Sequence, residues 1–173
     1  MKKYYTPEMI KVPYNNVINV HRQRDAYSCG PRALQTALEY CGLSVKYREL
    51  KKLCDTNEEG TKVEKLEEVV RRFGLKTISM EGDVEKLKKY LDQNCLVIIL
   101  WYTGIISGQK TGHVVVAYCY DDNYIFAYDS DHNLCTVPII TIYQNKLKES
   151  WKKYKDYSWM LVLWLPEKKN GQS

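Results

Sequence analysis

No stretch of this chain is apolar for long. Runs such as Leu96-Val97-Ile98-Ile99-Leu100-Trp101 fall far short of the ~20 residues that a membrane-spanning helix needs. Met1-Lys2-Lys3 starts basic, but no apolar h-region follows it, so no secretory signal is read there. The six cysteines (Cys29, Cys41, Cys54, Cys95, Cys119 and Cys135) include no Cys-x-x-Cys pair, which leaves out the zinc knuckle and the dithiol redox motif. His132 and Cys135 could supply two metal ligands, but no second close pair accompanies them, and no metal or cofactor is expected. The segment from Thr103 to Gly112 is glycine-rich yet lacks the Gly-Lys-Ser/Thr order of a phosphate loop. Together these absences point to a cytoplasmic, reducing setting in which most cysteines are core thiols. The even cysteine count keeps an exported, oxidised form as the alternative.

What is present describes one globular domain. A chain of 173 residues with 45% hydrophobic and 27% charged positions can bury a real core. The net charge is +5. Its cations cluster at Arg71-Arg72, at Lys86 to Lys89 and at Lys152 to Lys155, interleaved with acids or on predicted helices. They read as solvated faces, and no nucleic-acid partner is expected.

One stretch carries chemistry. Gln23-Arg24-Asp25-Ala26-Tyr27-Ser28-Cys29-Gly30-Pro31 leads into Ala33, Leu34, Ala37, Leu38 and Cys41, whose three- and four-residue spacing predicts a helix with one apolar face. Pro31 suits a first helical position and Gly42 the residue past the end. Cys29 would then sit at the helix N-terminus, where free N–H groups and the dipole favour the thiolate. The plainer reading is a small buried hydrophobe, as most free cysteines are. Two features weigh against it. Gln23, six residues upstream, could fold its amide back toward the sulfur, and Gly112-His113-Val114-Val115-Val116 sets a histidine at the head of an apolar run.

Gln-x5-Cys-Gly-Pro opening a helix, then Gly-His-Val-Val-Val, then Tyr128-Asp129 ending the next strand, resembles the papain-like cysteine peptidases. More narrowly the pattern resembles the double-glycine-leader (bacteriocin-processing) peptidases and their free-standing relatives, from Gln23 to the Trp159–Leu165 strand. Two positions depart from the usual family pattern: Ser28 where many members have Asp, and Ser130 where many have Pro. The resemblance implies an α+β papain-like fold, with a helical layer from Pro31 to Asp92 on an antiparallel sheet from Cys95 onward. Residues 23–166 would form the domain, 1–22 an arm and 167–173 a frayed tail. It implies a peptide or protein substrate, with small residues before the cleaved bond. Cys29 would be the nucleophile, His113 the base and then acid, Asp129 the group orienting His113, and Gln23 an oxyanion donor with the Cys29 N–H. The same site could instead serve an acyl or peptidyl transferase or a deamidase, or the fold could persist as a non-catalytic peptide-binding module. Oligomeric state is not read from the sequence.

The remaining elements follow from pattern. A short strand is expected near residues 17–20. Ser44 would cap a helix from Val45 to Cys54. Thr61 and Glu64 form a capping box for a helix ending at Gly74, and Leu75 to Met80 reads as a strand. Gly82-Asp83 opens a helix over Val84 to Asp92, and Cys95 to Tyr102 is a buried strand. Ile139 to Glu149 reads as a helix and Ser158 to Leu165 as a closing strand. His113–Tyr120 and Tyr124–Asp129 form a hairpin whose register decides whether the site can assemble. A three-residue loop would pair Val115 with Asp129 and set His113 and Asp129 on one face; a two-residue turn at Asp121-Asp122 would separate them, unless a bulge corrects it. Asp131 is the stand-in for Asp129, while His21 and His132 read as surface residues.

Overall fold

The structure, a computed structural model, describes residues 20–103, 112–131 and 139–164. Among the described residues five α-helices and six strands follow one another: α1 (Cys29–Tyr40), α2 (Tyr47–Leu53), α3 (Val63–Arg72), β1 (Lys76–Met80), α4 (Val84–Asp92), β2 (Leu96–Tyr102), β3 (Gly112–Tyr120), β4 (Tyr124–Tyr128), β5 (Ile139–Tyr143), α5 (Gln144–Lys153) and β6 (Trp159–Trp164), with a short 3-10 turn at Lys155–Tyr157 before the last strand. The strands form one sheet in the order β1-β6-β2-β3-β4-β5. Every pairing in it is antiparallel. This is the expected α+β architecture.

Alternation along the central strands sorts side chains to two faces. Ile98, Val114, Val116, Leu161 and Leu163 pack with Leu34, Leu38, Leu50, Leu66 and Val70 from α1, α2 and α3. Val97, Ile99, Val115, Ala117, Met160 and Val162 pack with Leu87, Leu91, Leu147 and Trp151 from α4 and α5. The sheet is therefore covered on both sides, which is why Leu96 to Trp101 reads as an unbroken apolar run rather than an alternation. Burial of each such aliphatic side chain stabilises by ~1.5–3 kcal/mol. The helical layer expected over Pro31 to Asp92 divides accordingly: α4 crosses to the far face and joins α5.

Helix ends differ from expectation where side chains find better partners. Asp83 caps α4 as expected, accepting from the Lys86 N–H at 2.8 Å. Thr61 does not cap α3; its hydroxyl bonds that of Thr56 at 2.7 Å, and Lys62 holds the cap position without a side-chain bond. Likewise α2 starts at Tyr47 rather than Val45, with Lys46 and not Ser44 before it. Pro31 is the third residue of α1, not the first, since the first helical bond runs from Arg32 N to Ser28 O. A proline suits any of these first positions, because their N–H groups have no helical acceptor. Gly42 and Gly74 take φ of +80° and +76° after α1 and α3, as their places required.

One element is of a different kind. Ile139-Ile140-Thr141-Ile142-Tyr143 pairs with β4 as an edge strand, and the helix starts only at Gln144. The β-branched run outweighs the weak helical period there. On the exposed side of α3, Glu67–Arg71 and Glu68–Arg72 pair at four-residue spacing, which places Arg71 and Arg72 on a solvated face where such pairs contribute little. Among the described residues no helix is long and apolar enough to cross a membrane. The expected strand at 17–20, the loop at 104–111, His132, Cys135 and the tail at 167–173 lie outside the described residues, Val20 excepted.

Candidate active site

Cys29 is the first residue of α1, half-buried at the edge of the core. Two devices set the helix start. The neighbouring Ser28 is fully buried; its hydroxyl donates to Asp25 and lies 2.5 Å from the Tyr47 hydroxyl. Asp25 also accepts from the Tyr27 N–H at 3.2 Å. The loop before α1 is thus tied both to itself and to α2. Gly30, which comes next, fits closely: a Cβ there would lie 3.0 Å from the Thr61 side chain, which would have to give.

His113 lies near the start of β3, opposite Trp101 of β2. Gly112 before it is required sterically, since a Cβ would meet the Tyr157 ring at 2.5 Å. His113 Nε2 is 2.7 Å from Asp129 Oδ1, with both side chains largely buried. Asp129 Oδ1 also accepts the Asp131 N–H at 2.8 Å, so two N–H donors converge on one oxygen. Cys29 also acts on the ring, favouring its charged form. Burial works against the charged ring, but the bonds and charges of Asp129 and Cys29 outweigh it and push His113 up to about 10.

The hairpin meets the register condition by a bulge. Asp121 N bonds Tyr124 O, so the turn has two residues, Asp122 and Asn123. Tyr120 pairs with Ile125 and Cys119 with Phe126, whereas Ala117 pairs with Ala127 and Val116 with Tyr128. The slip of one falls at Tyr118, whose ring stacks on Tyr128 at 4.3 Å between centroids. Without it, Asp129 would line up with Val116 and turn away from His113. With it, the register continues to Val115 opposite Asp129, as the three-residue loop would have given.

Gln23 is buried and joined to the far end of the same hairpin. Its N–H donates to Ser130 O at 2.8 Å, and its Oε1 accepts from Ser130 Oγ at 2.9 Å. Its Nε2 has no partner among the described residues. Gln23 borders a groove of about 820 Å³, which Arg22, Arg24, Arg32 and Asp131 also line. The structure thus brings Cys29, His113 and Asp129 together, while Gln23 joins them through Ser130. Asp131 is exposed and meets the site through its main chain. His21 pairs with Glu39 at 2.8 Å, partly exposed. Ser130 is the contributor that sequence reasoning passed over. Nothing in a pattern links a serine to a glutamine 107 positions away. Among the described residues no group of three His, Cys, Asp or Glu could hold a metal.

Comparison with known proteins bears on the family and the fold. The family model of the Peptidase C39 family matches residues 17–155. No curated protein matches the chain. Solved structures similar to it include the peptidase domain of Streptococcus ComA, a bi-functional ABC transporter of a quorum-sensing pathway. The two are 21% identical, with a TM-score of 0.67 over 86% of this chain and 99% of that one. A double glycine motif protease from an AMS/PCAT transporter, in complex with the leader peptide, is 20% identical, with a TM-score of 0.65 over 88% and 95%. A C39-like peptidase of Bacillus anthracis is 14% identical, with a TM-score of 0.71 over 89% and 98%.

Proposed function

The chain belongs to the Peptidase C39 family, and from that premise we propose that it is a cysteine peptidase that cleaves a peptide bond through Cys29, His113 and Asp129. The observation that carries the reading is the position of His113, bonded to Asp129 through Nε2 at 2.7 Å and near enough to Cys29 for that side chain to favour the charged ring. That is the relation a nucleophile, its base and the base's orienting group require.

Cys29 gives its proton to His113 and attacks the carbonyl carbon, and the C–N bond breaks as His113 delivers that proton to the leaving amine. A thioester remains. Water then attacks the thioester, His113 takes a proton from it and passes it to the departing sulfur, and the acid is released with the thiol restored. Asp129 keeps the ring in one orientation throughout. The Cys29 N–H and Gln23 Nε2 stabilise the negative oxygen of each tetrahedral intermediate; a lost donor of this kind costs ~10²–10³ in kcat in enzymes where one was removed. The five described cysteines are all unpaired, which suits a reducing setting.

The substrate we propose is a peptide or protein with small residues before the cleaved bond, since one structural relative acts on a double glycine motif and binds a leader peptide. The test is a peptide panel with Gly-Gly, Gly-Ala and bulky pairs at the scissile position. Products are read by mass, together with the mass of Cys29 trapped as acyl-enzyme. Cleavage after the small pair, abolished in Cys29→Ala, supports hydrolysis. Transfer of the acyl group to an added amine instead of water would make the enzyme a transferase. Binding without turnover would make it a peptide-binding module.

A further inference from the structure

We propose that Ser130 is a positioning residue that holds the Gln23 amide ready for the oxyanion. The inference rests on the proposed role of Gln23 and goes beyond it. A glutamine donor is a weak device by itself, because its amide hangs on three rotatable bonds and can present either nitrogen or oxygen. Oxygen aimed at a developing negative charge would oppose catalysis. A donor helps only when it is already aimed at the place where charge develops.

Ser130 meets both needs. Its hydroxyl donates to Gln23 Oε1 at 2.9 Å, which occupies the acceptor end and leaves Nε2 as the free, donating end. Both residues are buried, so water does not compete for that bond. Ser130 O also takes the Gln23 main-chain N–H at 2.8 Å. One residue thus anchors the glutamine at its backbone and at its side-chain tip. Ser130 directly follows Asp129, the partner of His113. Two consecutive residues at the end of β4 therefore set both the histidine ring and the glutamine amide. A proline at this position has no hydroxyl and would leave Gln23 Oε1 without this donor.

Ser130→Ala removes only the hydroxyl. The main-chain bond to Gln23 does not depend on the side chain, so the loop stays docked. We expect Ser130→Ala to lower kcat roughly 10–100-fold, less than the ~10²–10³-fold expected of Gln23→Ala, with KM little changed. Ser130→Thr, which keeps a hydroxyl, should retain most of the activity. Adding Ser130→Ala to Gln23→Ala should cost almost nothing further, because the serine then has nothing to hold. The Gln23 side-chain amide signals in a ¹⁵N spectrum, assigned by their loss in Gln23→Ala, should shift and broaden in Ser130→Ala and stay sharp in Ser130→Thr.

Full kcat in Ser130→Ala beside an impaired Gln23→Ala would overturn the inference. So would a second loss that simply adds to that of Gln23→Ala. If Gln23→Ala itself turned over normally, the oxyanion role of Gln23 would fail, and the inference with it. If the wild-type chain cleaved no peptide, the peptidase reading would fail separately. The amide signals would then decide the positioning alone: unchanged signals in Ser130→Ala overturn it, and altered ones uphold it.

Discussion

His113 and Asp129 meet at 2.7 Å, although the turn between their strands, taken alone, would set them on opposite faces of the sheet. Asp122 and Asn123 make a two-residue connection, and the extra residue Tyr118 restores the parity three residues short of Val115. Tyr118 is held in place by its stack on Tyr128, whose own phenol burial pushes up to about 12. An aromatic pair on one side of the hairpin thus determines which side chains face each other at its open end.

The proton on His113 should show in stability. In the folded chain it is held up to about pH 10, whereas an unfolded histidine releases it near ~6.5. The stabilisation from this group is complete below ~6.5 and is lost as pH rises through about 10. Urea unfolding at about pH 6 and about pH 10 should show a fall for the wild-type chain. Asp129→Asn removes the charge that favours the imidazolium and should flatten that fall. Raised thiols such as Cys54 decline over part of the same range, so the difference between the two proteins is the reading. Parallel curves would place the proton elsewhere.

Alkylation should single out one thiol. Burial pushes Cys41 and Cys119 up to about 11 and Cys54 to about 12, and it raises Cys95 as well. These four are neutral at physiological pH and react slowly. Cys29 is the one at the N-terminus of a helix, beside the histidine proposed to take its proton. Brief treatment with iodoacetamide at neutral pH, followed by peptide mapping, should modify Cys29 well before these four. Equal labelling of Cys41 or Cys95 in the folded protein would contradict the special status of Cys29.

Much of this site was legible because its parts are local. Asp83 caps α4, and the Gln23-x5-Cys29 spacing and the Gly112-His113 step are written in adjacent residues. The contacts that complete the site are not. Tyr118 sits in Val115-Val116-Ala117-Tyr118-Cys119-Tyr120, a run with no glycine or break to mark a bulge, so the register was predictable only as a requirement. Thr61 looked like a cap because Glu64 follows at the right distance, yet Thr56 lies closer in space. Ile139 to Tyr143 carried a strand signal in its β-branched residues, but the helix that follows without a break absorbed it. Ser130 stood out in the sequence only as a departure from a pattern, and its partner is visible only once the chain has folded.

Gly112 supplies a steric test. A Cβ at this position would lie 2.5 Å from two ring atoms of Tyr157 and 3.2 Å from Leu100. Tyr157 is held against Tyr102, with ring centroids 5.3 Å apart, so its ring cannot simply swing away. Gly112→Ala should destabilise by ~1–3 kcal/mol as overpacking. Because the strain falls next to His113, it should also lower kcat. Combining it with Tyr157→Ala should restore part of the activity. Unfolding and kinetics of the three variants check this, and a Gly112→Ala protein as stable and active as wild type would show that the Tyr157 ring yields freely.

Asp129, and not Asp131, should be the acid on which activity depends. Continued as a regular strand, the register would place Asp131 directly opposite His113, nearer than Asp129. The chain does not continue as a strand. β4 ends at Tyr128, and the Asp131 N–H folds back to Asp129 Oδ1 at 2.8 Å. That turn carries Asp131 into solvent and leaves Asp129 buried, its rotamer fixed by two donors. A carboxylate that orients a histidine must accept the ring N–H along the ring plane, and Asp129 Oδ1 is at 2.7 Å from Nε2. Asp129→Ala should reduce kcat by roughly 10²–10⁴, in line with the loss of the orienting acid in other triads. Asp131→Ala keeps the main-chain bond and should stay within about twofold of wild type, as most exposed substitutions do. Both are measured on one peptide substrate, with circular dichroism to confirm folding. The reverse ranking would mean that the acid at the end of β4 holds the hairpin together while its exposed neighbour serves the histidine.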